Sequence, residues 1–192
     1  MPIIIQDAPA AAIRAMSEYR PWNDVDRFAT AVAERIAEPA SGDSGLAPHP
    51  LYYLGLLEML SSGDFNRALL SGWQSVFREG SYVWLIVADR ISDRSFRFAR
   101  RLQLNEGEAP MFEPRFLGQL VPEIEACELR AVSVPPLLNL AFWLRRPSSE
   151  PNFILPIHTC SRTLSTGRLY SDKEIVDALA APARSLLEFV PL

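Results

Sequence analysis

The chain has 192 residues, of which 48% are hydrophobic and 22% charged, and its net charge is −4. These values are typical of a globular protein, exclude disorder of the whole chain and favour one domain, 1–192. The acidic balance argues against general affinity for nucleic acid and against binding to an anionic membrane, and no apolar stretch is long enough to span a bilayer.

The chain contains two cysteines and two histidines. So few cysteines predict a reducing, cytoplasmic location without a disulfide scaffold, and the first residues lack the features of a signal peptide. The histidines and cysteines show no metal-binding spacing, and no glycine-rich phosphate loop occurs. We therefore expect neither a metal nor a nucleotide cofactor.

The first 80 residues are predicted to be mainly helical. Residues 8–19 are rich in alanine, and apolar residues recur at helical spacing in 22–36. Residues 51–61 are apolar on nearly all sides, as in a buried central helix, and 64–77 repeat an amphipathic pattern. On this interpretation Gly72 would permit close packing between helices.

Residues 38–50 are predicted to form a loop, because glycine, proline and serine dominate their composition. His49 lies in this loop between two prolines and could serve as a ligand or as a partner of His158. The more ordinary interpretation is a loop residue without a chemical role.

From residue 82 the pattern changes to strands. The predicted strands are residues 82–89, 95–104, 126–134, 137–145 and 153–158. Pro156 in the last of them predicts an edge position or a bulge, because proline cannot donate a ladder hydrogen bond.

Five arginines lie close together after the most apolar strand: Arg90, Arg94, Arg97, Arg100 and Arg101. As a strand, the segment would place Arg97 and Arg101 on one face and Arg100 on the other, whereas a helix would align all but Arg100 in one stripe. The alternation of phenylalanines with polar residues favours the strand. Guanidinium groups bind carboxylates and phosphates through paired hydrogen bonds, so the cluster predicts a binding surface for an anion or an acidic partner.

The alternative interpretation of the arginines is a solvated sheet face that the chain itself neutralises. Glutamates are concentrated in residues 105–128, at Glu106, Glu108, Glu113, Glu123, Glu125 and Glu128. Exposed charges of this kind are usually solvated or weakly paired. The sequence leaves both interpretations open.

His158 and Cys160 are the candidate catalytic pair, at the end of a predicted strand. A histidine can activate a thiolate by accepting its proton, and Cys127 or Ser161 could serve as the nucleophile instead. No local signature of a cysteine or serine hydrolase accompanies these residues. The alternative is an ordinary strand-end histidine beside a small buried thiol.

The chain closes with a predicted helix, in which Ser171 and Glu174 match a capping box and Pro182 should cause a kink or a split. Together the elements predict an α+β fold: an N-terminal helical layer, a mostly antiparallel sheet of about five strands, and a C-terminal helix packed on the sheet. The helical part would span residues 1–80 and the strand-rich part residues 81–192.

Without a catalytic signature, the arginines indicate a non-catalytic intracellular adaptor or regulatory module that binds another protein. Its partner would carry an acidic surface and would contact Arg90, Arg94, Arg97 and Arg101. The alternative is a small hydrolase or transferase that uses His158. Nucleic-acid binding would require residues 90–101 to be helical and unpaired. No pattern in the sequence defines an oligomeric state.

Overall fold

The computed structural model of the chain describes residues 3–17, 46–79, 81–112, 114–120, 126–146 and 151–188. These residues divide into two compact units that alternate along the chain. Unit 1 comprises Met1–Ile4, Leu51–Leu70 and Leu120–Leu192, and unit 2 comprises Ile5–Pro50 and Ser71–Gln119.

The described residues contain nine strands and four α-helices. The strands are β1 (Ile3–Ile4), β2 (His49–Tyr53), β3 (Leu69–Glu79), β4 (Tyr82–Ser92), β5 (Ser95–Leu104), β6 (Cys127–Val134), β7 (Leu138–Arg145), β8 (Phe153–Thr159) and β9 (Tyr170–Ser171). The helices are α1 (Ala10–Ser17), α2 (Leu56–Ser62), α3 (Pro114–Leu120) and α4 (Asp172–Glu188), and a short 3-10 helix spans Ala109–Phe112.

In unit 1, strands β6, β7, β8 and β9 pair in antiparallel order. β1 and the end of β2 both pair in parallel with β6, so that Ile3 lies opposite Cys127 and Leu51 opposite Ala131. The helices α2 and α4 pack on this sheet and share one apolar core with it, which includes Met59, Trp143, Ile154, Ile175 and Leu179. Full burial of each such side chain contributes roughly 1.5–3 kcal/mol, so this core stabilises unit 1.

The C-terminal helix α4 confirms the predicted capping box. The backbone N–H of Ser171 donates to the Glu174 carboxylate at 2.7 Å, and the backbone N–H of Glu174 donates to the Ser171 hydroxyl at 3.2 Å. These two bonds satisfy donors that a helix start leaves without partners. Pro182 lies inside the helix, which continues to Glu188 and is therefore not split.

In unit 2, strands β3, β4 and β5 form an antiparallel sheet. Helix α1 covers one face of this sheet, which we call the α1 face. The contacts join the small side chains Ala12 and Ala15, with Met16, to Trp73, Ile86, Ala88, Phe96 and Phe98. Two alanines on the buried side of α1 allow the helix to approach the large aromatic rings closely.

The predicted fold class is wrong. The nine strands of the described residues pair in mixed fashion rather than as a mostly antiparallel set of about five, and these residues show no N-terminal helical layer. Residues 51–61 contain the end of β2 and all of α2 except its last residue, and most of 64–77 belongs to β3. The predicted helix at 22–36 lies outside the described residues.

The β3 segment misled the prediction because it is buried on both faces. Trp73 and Ser75 point to one side of the sheet and Gln74 and Val76 to the other, and all four are buried. A strand of this kind lacks the alternation of polar and apolar residues by which a half-exposed strand is recognised. Its apolar residues then fit a helical spacing by coincidence.

Gly72 serves strand pairing rather than helix packing. It lies in β3 opposite Asp89 of β4, and a Cβ atom at this position would collide with the backbone carbonyl oxygen of Ala88. Because that oxygen is part of the sheet backbone, it cannot move without disturbing the strand.

We expect Gly72→Ala to lower the free energy of unfolding by roughly 1–3 kcal/mol, since the added methyl group overpacks the β3–β4 contact. Urea denaturation of the purified variant measures this loss. Gly107→Ala is the matched control, because a Cβ at Gly107 meets only the Asn105 side-chain oxygen, at 3.3 Å. Equal stability of the two variants would contradict the assignment.

Candidate functional site

The arginine cluster lies on a β-hairpin. Strands β4 and β5 pair along their lengths and are joined by a turn at Asp93 and Arg94. The strand that the phenylalanine pattern predicts at 95–104 is confirmed. The helical stripe, on which the nucleic-acid hypothesis depended, is therefore not formed.

An extra residue in β5 decides which arginines share a face. Phe98 lies opposite Ala88 and Arg100 lies opposite Val87, so Ala99 has no counterpart on β4. This bulge reverses the alternation of side chains that follow it. Arg97 and Arg100 therefore point to the same face of the hairpin, and Arg101 points to the other.

The expectation that Arg97 and Arg101 share a face is thus wrong. Arg97 lies opposite Asp89, which is on the face away from α1, whereas Arg101 lies opposite Ile86 on the α1 face. The contact of Arg101 agrees with this assignment: its guanidinium carbon lies 3.2 Å from the ring centroid of Trp84. Arg101 therefore contributes a cation–π contact to the hairpin rather than standing beside Arg97.

Arg97 and Arg100 are both exposed and lie on the same face of the hairpin. Leu102 follows them on the same face and is 45% exposed. Neither Arg97 nor Arg100 forms an ion pair with any part of the chain that the structure describes. We call these three residues the Arg97–Leu102 face.

The two arginines nearest the turn have different surroundings. Arg90 forms an ion pair with Asp93 across the turn, and Arg94 is exposed in the turn itself. The carboxylate beside Arg90 offsets its charge locally, so Arg90 adds less than Arg97 or Arg100 to an anion-binding surface.

Two of the glutamates that could neutralise the cluster, Glu128 and Glu108, form contacts with other residues. Glu128 pairs with Arg130 at 2.7 Å and with Arg145 at 3.7 Å, all in unit 1. Glu108 accepts a hydrogen bond from the backbone N–H of Asn105 at 3.1 Å. Glu106 is exposed, while Glu113, Glu123 and Glu125 lie outside the described residues.

The pair of Glu128 and Arg130 is a polar feature that sequence reasoning did not single out. Both residues are buried, and the Arg130 guanidinium lies 4.7 Å from the Tyr52 ring centroid and 5.0 Å from that of Trp143. The only signal was their alternation on an otherwise apolar strand. A buried ion pair between aromatic rings stabilises the local arrangement only while both partners remain, so we assign it a structural role.

The candidate catalytic residues His158 and Cys160 lie at the end of β8 and just after it, and both are exposed. The sulfur of Cys160 accepts a hydrogen bond from the Asn139 amide at 3.4 Å. Cys127 is fully buried in β6, and the Ser161 hydroxyl is hydrogen-bonded to Thr163 at 2.7 Å. The sequence interpretation of Cys160 as a buried thiol is therefore wrong.

His49 is not a loop residue, because it begins β2 and is fully buried. Its Nδ1–H donates to the carbonyl of Ala47 at 2.9 Å, which leaves Nε2 to accept from the Gln74 amide at 3.0 Å. Burial lowers the pKa of His49 from 6.5 to about 4, against a smaller opposite effect of the Ala47 hydrogen bond. His49 belongs to unit 2 and His158 to unit 1.

No protein-family model, curated protein or solved structure matches the chain. Within the described residues, no group of three or more histidine, cysteine, aspartate or glutamate side chains is placed to hold a metal ion. In the same residues, no helix combines the length and apolar character needed to cross a membrane.

The lowered pKa of His49 predicts a loss of stability on acidification. Below pH 6.5 the unfolded state binds a proton at His49 that the folded state resists until about pH 4, so the free energy of unfolding falls as the pH falls. We expect His49 to account for about 2 kcal/mol of the loss between pH 7 and pH 5, measured by urea denaturation.

His49→Gln should remove this part of the pH dependence, and His158→Gln, a change at the exposed histidine, should retain it. An unchanged pH dependence in His49→Gln would show that the buried His49–Gln74 pair is not the cause.

Proposed function

We propose that the protein is a non-catalytic module that binds another protein, and that the acidic surface of the partner docks on the Arg97–Leu102 face. The observation that carries this proposal is the placement of Arg97 and Arg100, both exposed, on one face beside the exposed Leu102. Arg100 takes the position that the sequence interpretation had assigned to Arg101.

Charge complementarity supports an acidic partner. The chain carries a net charge of −4, so a local pair of guanidinium groups contrasts with the rest of the protein. Such a contrast orients an acidic partner during encounter and repels partners of the wrong sign.

The small free energy of a single ion pair indicates that the two arginines and Leu102 would have to bind the partner together. A single exposed ion pair contributes only about 0.2–1 kcal/mol, and salt weakens it further. Two arginines with an adjacent apolar side chain supply more binding free energy, because the partner can bury the exposed surface of Leu102. A modest, salt-sensitive affinity is what such a surface provides.

The alternative of a small hydrolase or transferase is centred on His158 and Cys160. The sulfur of Cys160 accepts a hydrogen bond from the side-chain amide of Asn139. An amide is not a base that can take the proton from a thiol. We therefore base the proposed function on the arginines.

Affinity capture from the source organism, with bound proteins quantified, tests the proposed function. We expect the double variant Arg97→Glu with Arg100→Glu to lose specific partners by about ten-fold or more, because attraction becomes repulsion at both positions. Arg162→Glu with Arg184→Glu is the control, since both arginines are exposed, lie in unit 1 and change the net charge equally.

Capture that is unchanged in the Arg97 and Arg100 variant, or that is lost equally in the control, would contradict the proposed surface. Thermal unfolding of both variants shows that the fold is retained.

A further inference from the structure

On the basis of the proposed function, we propose that the partner docks through an extended segment with acidic residues at two alternate positions and an apolar residue at the next alternate position. The bulge at Ala99 carries this inference. Arg97 and Arg100 are three apart in sequence, yet they lie opposite Asp89 and Val87, which are two apart on β4.

The spacing of the arginines therefore equals that of alternate residues on a strand. Alternate residues of an extended chain point to the same side and lie about 7 Å apart. A segment that runs along β5 in extended form presents its own alternate side chains at the same interval. Two alternate carboxylates can then face Arg97 and Arg100 at once, whereas adjacent carboxylates would point to opposite sides.

Leu102 extends the same row by one step. It lies opposite Leu85, as Arg100 lies opposite Val87, so the regular interval continues along β5. The third alternate residue of the partner therefore meets an apolar surface that is 45% exposed. An aliphatic side chain at this position buries apolar area on both molecules.

The two arginines differ in what lies across from them. Asp89, opposite Arg97, offers a competing negative charge on the same face, whereas Arg100 lies opposite the apolar Val87. A partner carboxylate at Arg97 is therefore repelled by Asp89, and one at Arg100 is not. Arg100 is the stronger of the two contacts.

Two capped synthetic peptides of identical composition test the spacing. The first, Thr-Leu-Thr-Glu-Thr-Glu-Thr-Leu-Thr, carries alternate glutamates and reads the same in both chain directions. The second, Thr-Leu-Thr-Thr-Glu-Glu-Thr-Leu-Thr, carries adjacent ones. We expect the full-length protein to bind the first about five-fold more tightly in fluorescence anisotropy at low salt, because the second peptide loses one ion pair.

The variants Arg100→Gln and Arg101→Gln separate the two faces of β5. We expect Arg100→Gln to weaken binding of the alternating peptide about five-fold and Arg97→Gln to weaken it less. Arg101→Gln should leave the affinity unchanged, because Arg101 lies on the α1 face over Trp84.

Equal affinity for both peptides, with Arg100→Gln still weakening both, would overturn the spacing and leave the proposed function intact. Peptide affinity that is unchanged by Arg97→Gln and by Arg100→Gln would overturn both the spacing and the proposed function. A loss in Arg101→Gln equal to that in Arg100→Gln, in a variant with an unchanged thermal unfolding profile, would overturn the assignment of faces. Failure of the alternating peptide to bind at millimolar concentration would also overturn the spacing.

Discussion

The pairing between β4 and β5 determines which arginines of this protein can act together. With perfect alternation, Arg97 would stand beside Arg101. The unpaired Ala99 shifts the register by one residue, which exchanges the faces of every side chain that follows. One alanine therefore decides that Arg97 and Arg100 share a surface and that Arg101 is directed to the face covered by α1.

The two faces of the hairpin consequently have different surroundings. On the α1 face, Arg101 packs over Trp84 while the phenylalanines of β5 contact the helix, so these side chains stabilise unit 2. On the opposite face, Arg97 and Arg100 are exposed, with the Leu102 side chain beside them. Among the described strands β5 lies at the edge of the sheet, next to β4. A charged edge strand with a bulge resists pairing with other chains, so the same arginines can protect β5 from aggregation. In the proposed complex, selective recognition would therefore depend on side-chain spacing.

The sequence predicted the parts of the fold in which local pattern and tertiary environment agree. The first half of β5 alternates Phe96 and Phe98 with exposed residues, and the capping box of α4 is a local signal between Ser171 and Glu174. β3 was missed because burial on both faces removes its alternation, and His49 was assigned to a loop because prolines flank it. The bulge leaves no mark on composition, since Ala99 fits either face of a strand, and only cross-strand register reveals it.

The most direct measurement is the chemical shift of the arginine side-chain protons in an NMR spectrum of the whole protein. If Ala99 is bulged, the side-chain protons of Arg101 lie over the Trp84 ring and shift upfield, while those of Arg97 and Arg100 keep the values of exposed arginines. An upfield shift for Arg100 together with ordinary values for Arg101 would mean that β5 alternates without the bulge, and would contradict the Arg97–Leu102 face.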